Sequence, residues 1–78
     1  TGFAAPIFQD RFQVINQRVL KDKHLKLMLY REGAHLEAIW FNQPNPVGEQ
    51  VELAYRLDEN HWNGHSRLQL VVEYGHSL

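Results

Sequence analysis

The sequence predicts an all-β domain: a small five-stranded antiparallel barrel whose inter-strand helix is reduced or missing. Three observations predict it. Apolar residues recur with a period of two nearly throughout, which is the strand period. Five such runs are separated mostly by short segments containing Gly, Asn or Asp. The longest connection after the first strand, "NQPNPVGEQ", contains Pro44 and Pro46, which exclude a regular helix there longer than about one turn. Five strands of this length close most economically into a barrel, because closure removes exposed edges.

The elements follow in order. The opening "TGFAAPIFQD" is irregular yet carries Phe3, Ile7 and Phe8, so residues 1–11 are expected to pack on the barrel as a lead-in, with the barrel over 12–78. "RFQVINQRV" is a long first strand with Phe12 and Val14 on one side and Ile15 on the other. After the polar turn "LKDK", "HLKLMLY" puts Leu25, Leu27 and Leu29 inward and His24, Lys26, Met28 and Tyr30 outward. "REGAH" turns at Gly33. "LEAIWF" is apolar to its end, and simple alternation puts Ile39 and Phe41 in the core and Trp40 outside, beside Lys26 and Met28. "VELAYRL" directs Val51, Leu53, Tyr55 and Leu57 inward. "DENHWNGHSR" turns about Asn63-Gly64, a strong hairpin signal. "LQLVVEY" then directs Leu68, Leu70, Val72 and Tyr74 inward. The expected core includes Leu25, Leu27, Leu29, Leu53, Tyr55, Leu68 and Leu70.

Composition bounds the functions. Seventy-eight residues make one domain, and a chain of that size buries only about 60% of the surface its unfolded form exposes. No apolar run approaches the length of a membrane-spanning helix. No targeting segment is visible, and a start at Thr1 reads as a piece of a longer protein. The absence of cysteine removes disulfides and thiolate metal sites and fits a reducing compartment.

The net charge of −1 conceals a division. From Arg11 to Arg31 there are six basic residues against Asp22 alone; from Glu32 to Asn60 there are six acids against Arg56 alone. Such segregation produces a local field that could attract a polyanion. The plainer reading is two solvated faces that neutralise each other.

Several stretches together resemble a known family. Gly2-Phe3 with Pro6 and Phe8, then "HLKL", "AIWFN", "AYRLDEN" and "NGHSRLQL", look in order and spacing like the C-terminal OB-fold domain of the bacterial RecJ family. These are single-stranded-DNA-specific 5′→3′ exonucleases of the DHH phosphoesterase group. The similarity runs from Gly2 to Tyr74. It implies an OB-type barrel serving DNA repair and recombination in the bacterial cytoplasm, beside a catalytic core that holds Mn²⁺ or Mg²⁺. That core has no counterpart here: the sequence has no Asp-His-His and no Gly-rich, His-ended motif. No catalytic residue, metal ligand or cofactor is carried over, and the domain by itself is expected not to be an enzyme. Two departures matter. The helix usual between strands three and four is replaced by the proline-broken segment, so Phe3, Ile7 and Phe8 are candidates to plug the barrel end. The family pattern has Phe where Trp62 stands, and often a small residue at Trp40.

OB folds take oligonucleotides across strands two and three, flanked by the loops joining strands one to two and four to five. The candidate nucleic-acid-binding residues are therefore Arg18, Lys21, Lys23, His24, Lys26, Trp40, Trp62 and Arg67. Lysines at such a rim neutralise phosphates and release counterions; a basic turn kept for solubility is the plainer alternative. Trp62 either caps the barrel end or offers a face to a base, and Trp40 stacks on a base or on a neighbouring domain. His61 and His65 are four apart, a spacing that gathers ligands on a helix and not in a hairpin. The leading expectation is a single-stranded-DNA-binding module that guides a strand toward the catalytic domains of the same chain, with a single-strand-binding protein as a further partner and no membrane contact. The rival is a structural or protein-docking domain that closes the parent enzyme without touching DNA.

Overall fold

A computed structural model describes residues 6–78, apart from the side chains of Asn60 and Trp62. Its strands are β1 (Phe8–Leu20), β2 (His24–Arg31), β3 (Ala34–Trp40), β4 (Gln50–Trp62) and β5 (His65–Ser77). They close into a barrel in the order β1-β2-β3-β5-β4, with β4 returning to β1. Four ladders are antiparallel; the β3–β5 ladder is parallel and short, pairing Ala38 with Leu70 and Ile39 with Val71. This is the OB arrangement, with no helix among the described residues.

β1 serves two partners. Phe8–Gln13 pair with β4 and Gln13–Leu20 with β2, so part of the segment expected as lead-in is strand. A bulge between Val14 and Asn16 places Ile15 outside the ladder. That extra residue resets the alternation: Phe12 and Val14 point inward before it, and Gln17 and Val19, opposite Leu27 and Leu25, point inward after it.

The core is one cluster built from alternate residues of every strand: Phe12 and Val14, Leu25, Leu27 and Leu29, Ala38, Val51, Leu53 and Tyr55, and Leu70 and Val72. Fully burying each large side chain contributes about 1.5–3 kcal/mol. Near one end, Tyr55 stacks on Phe8 (5.8 Å between ring centres) and meets Phe12 edge-on (5.6 Å). Its hydroxyl donates to Asp10 Oδ2 at 2.5 Å, and Arg31 pairs with Asp10 at 3.2 Å. Burial first, and then the hydrogen bond and negative charge of Asp10, push the Tyr55 phenol up to about 12.

Three inward assignments are corrected. Leu57 and Leu68, expected inside, are 48% and 51% exposed. β1 leaves β4 at Tyr55 and β3 leaves β5 at Leu70, so beyond Leu57 and Leu70 the two strands pair only with each other. They form a two-stranded arm with no barrel interior to face. Tyr74, also expected inside, is 62% exposed because the ladder shifts between Ala54 and Tyr55, leaving Glu73 unpaired and turning Tyr74 outward opposite Ala54.

Residues 41–49 replace the usual helix without forming one. Val47 packs against the core, and Gln17 clamps its backbone: the Gln17 amide donates to Val47 O and its carbonyl accepts from Val47 N, both at 2.8 Å. Val14 N–H adds a bond to Glu49 O at 2.7 Å. Of the residues expected to plug the barrel, Phe3 lies outside those described, and Ile7 and Phe8 remain 51% and 41% exposed. From the loop, Val47 is the residue that packs against the core among those described.

Candidate nucleic-acid interface

The outer face of β2 and β3 is fixed by their register. Leu25, Leu27 and Leu29 are buried, and their partners Trp40, Ala38 and Leu36 share the inner face. The outer pairs are therefore Lys26 with Ile39, Met28 with Glu37, and Tyr30 with His35. His24 meets Phe41 edge-on at 5.1 Å, and Tyr30 meets His35 at 5.3 Å.

This inverts the alternation expected for β3. Trp40 is not outside beside Lys26 and Met28; it is half-buried and packs against the core, whereas Phe41 is 53% exposed. The cause is Glu37. Facing inward it would put a carboxylate among leucines, at a cost of several kcal/mol. Facing outward it meets Lys26 Nζ at 2.8 Å through Oε1, and the Arg67 guanidinium through Oε2. One acid thus sets the parity of β3 and sends Ile39 and Phe41 out with it. Ile39 is still buried, flanked in register by Lys26 and by Val71 of β5.

The remaining candidates divide by their partners. Arg18, opposite Lys26 in the β1–β2 ladder, is exposed, as are Lys21 and Lys23 in the turn. Among the described residues no carboxylate pairs with any of these three. Lys26 and Arg67 are held by Glu37, so they are not independent cations. His24 Nδ1 accepts the Asn42 N–H at 3.0 Å, which ties the start of β2 to the turn after β3. The Trp62 side chain, whether lid or stacking face, falls outside the described residues.

The turn is unusual in its residues, having Asp22 where the other two hairpins have glycine. Lys21 and Asp22 both adopt left-handed conformations (φ 52° and 56°), and Lys23 N–H bonds Leu20 O at 3.0 Å. The other two hairpins meet the same demand with Glu32-Gly33 and Asn63-Gly64, each ending on glycine. The β1–β2 turn thus presents Lys21 from a conformation that lysine does not favour. Beside it, a shallow depression of about 210 Å³ is lined by Asn16, Arg18, Lys26 and Met28 among others.

Elsewhere the segregated charges do pair: Arg11 with Glu52 (3.9 Å), Arg31 with Asp10 and Glu32 (each 3.2 Å), and Arg56 with Glu73. What survives neutralisation is the cluster of Arg18, Lys21 and Lys23. His61 and His65 lie on opposite faces of the arm, opposite Ser66 and Trp62 respectively, so they do not converge on a metal. No group of three His, Asp or Glu among the described residues is placed to hold one.

Tyr30 and Phe41 were not among the expected site residues, and neither was Glu37. The signal was present in "HLEAIWF": His35 and Glu37 are polar at alternate positions, and continuing that alternation puts Ile39 and Phe41 outside.

Residues 1–74 match the family model described as the RecJ OB domain. The single-stranded-DNA-specific exonuclease RecJ of Dickeya dadantii is 37% identical over 80 residues, covering 94% of this chain and 14% of that protein. The enzyme of the same name from Salmonella typhimurium is 36% identical over 78 residues, covering 91% of this chain and 14% of its own length. The crystal structure of RecJ in complex with Mg²⁺ from Thermus thermophilus superposes with a TM-score of 0.75 at 25% identity, over 95% of this chain and 12% of that one. The chain therefore spans about one seventh of the length of the curated relatives it matches.

Proposed function

The chain belongs to the RecJ OB-domain family, and from that premise we propose that it is a single-stranded-DNA-binding module of a longer exonuclease. It guides a strand toward catalytic domains that lie elsewhere in that protein. The observation that carries this reading is the unneutralised group Arg18, Lys21 and Lys23 at one rim of the β2–β3 face, with outward Phe41 near it and Met28 and Tyr30 farther along the same face. Cations at the rim engage phosphates and carry little sequence preference. Exposed aromatic rings add stacking at about 1–3 kcal/mol per base, which is also tolerant of sequence. That combination suits an enzyme that takes any single strand.

On the same reading, hydrolysis and the divalent cation it uses belong to the remainder of the parent protein, in the bacterial cytoplasm, in repair and recombination. The described residues offer no ligand set for such an ion, so no chemical step is placed on this domain. Purified domain incubated with single-stranded DNA and Mg²⁺ or Mn²⁺ should release no nucleotides. Metal-dependent release would contradict the assignment.

A second reading has a specific observation behind it. The β4–β5 arm exposes Leu57 and Leu68, neighbours in the ladder around the Leu57–Leu70 and Glu59–Leu68 pairs. An apolar arm of this kind fits a domain that docks on the rest of its own chain, or on a single-strand-binding protein. Titration of the domain with a labelled single-stranded oligonucleotide and its duplex, at low and moderate salt, separates the readings. Preferential, salt-sensitive binding of the single strand supports the first. No binding at tens of micromolar in low salt leaves the docking role.

A further inference from the structure

Glu37 is the one buried charged residue among those described, and it lies on the outside of the barrel. Its side chain is 7% exposed, with Lys26 of β2 and Arg67 of β5 closing over it from either side. Lys26 Nζ stands 2.8 Å from Oε1, while Oε2 is in charge contact with Arg67 and accepts no hydrogen bond. Two cations from flanking strands converge on two oxygens of one anion. That is the arrangement a phosphate of a bound strand would require of the same two side chains.

We propose that Glu37 is an internal competitor for phosphate, a carboxylate that holds Lys26 and Arg67 in a pair that the strand must displace. It thereby sets the affinity and the salt dependence of the β2–β3 face. This rests on the reading of that face as a single-strand site. Arg18, Lys21 and Lys23 make the first contacts, having no carboxylate to leave. Lys26 and Arg67 join only where a phosphate outcompetes Glu37, and the carboxylate remains beside the strand as a like charge. The arrangement keeps binding weak and reversible, which suits a surface along which a strand has to move.

The test is E37Q, which keeps the side-chain volume and an acceptor for Lys26 but removes the charge. A fluorescent oligothymidylate is the probe, titrated over a range of salt. E37Q should bind at least about tenfold tighter at low salt, the gain expected when a like charge leaves the contact. Its salt slope should steepen by about 0.7 for each cation released to a phosphate. In the E37Q background, K26Q and R67Q should each flatten the slope by about 0.7, and by less in the parent domain. A second comparison holds even if E37Q folds poorly: in the parent, K26Q and R67Q should flatten the slope less than K21Q or K23Q does. Equal flattening overturns the proposal. Unchanged or weaker binding by folded E37Q, in a domain that binds and responds to K21Q and K23Q, overturns it and leaves the single-strand reading standing. Absence of binding by both parent and E37Q overturns both.

Discussion

Tyr55 shows how a single side chain can be followed through its titration. The folded phenol is pushed up to about 12 by burial and by Asp10, against an ordinary value of about 10. Below pH 10 both states keep the proton and the contribution is intact. Between about pH 10 and 12 the unfolded chain loses the proton while the native one keeps it, so stability falls by at most about 1.4 kcal/mol per pH unit. Y55F should lack this part of the alkaline fall; denaturant unfolding on either side of about pH 10 measures the difference. Parallel stability curves for the two proteins would mean the phenol is not held as described. Gly75 makes a second residue-scale case. A Cβ there would sit 2.5 Å from Leu53 Cδ2 and 2.8 Å from Glu52 O, and the latter is strand backbone that cannot easily yield. G75A is expected to destabilise by about 1–3 kcal/mol, read from urea unfolding. Neither feature is visible in the sequence, since both depend on which strands cross at that barrel end.

At the scale of elements, the five strands were legible and their inward residues only partly so. β2 keeps its alternation because leucine occupies every second position, Leu25, Leu27 and Leu29, with His24, Lys26 and Met28 between them. β3 does not, because four apolar residues in a row, Ala38 to Phe41, leave the choice of face to Glu37, a charge whose partners lie on other strands. β5 began in phase and lost it at the bulge, where one extra residue exchanges the two faces. Leu57 and Leu68 have the right parity and no interior to enter, since the arm outruns the barrel. The proline-broken connection is non-helical, as its prolines predict, but Val47 packs against the core from it, anchored by Gln17 through long-range bonds that no local pattern announces. Q17A would leave the Val47 N–H and C=O unpaired in a half-buried place. A loss of about 1–3 kcal/mol is expected, with faster amide exchange at Val47 than in β2. An unchanged stability would mean water replaces the clamp.

Over the whole molecule, the division of charge along the chain becomes a spatial pairing. Three of the six basic residues of the first stretch, Arg11, Lys26 and Arg31, pair with acids of the second, Glu52, Glu37 and Glu32. Exposed pairs of this kind contribute little to stability; their consequence is electrostatic. The net charge of −1 is therefore compatible with a local positive rim, formed by the three cations that the folding leaves without a carboxylate. Lys26, which the sequence groups with Arg18, Lys21 and Lys23, is set apart from them by its pair with Glu37. On the proposed function, this rim receives the phosphates of a single strand. The most direct measurement is the salt dependence of oligothymidylate binding by the parent domain and by the triple variant R18Q/K21Q/K23Q, with R11Q, on the β1–β4 side, as the control for charge. If the rim is the phosphate site, the triple variant flattens the slope by about 2, at about 0.7 per contact, while R11Q leaves it near the parent value. Equal slopes for parent and triple variant would contradict the claim.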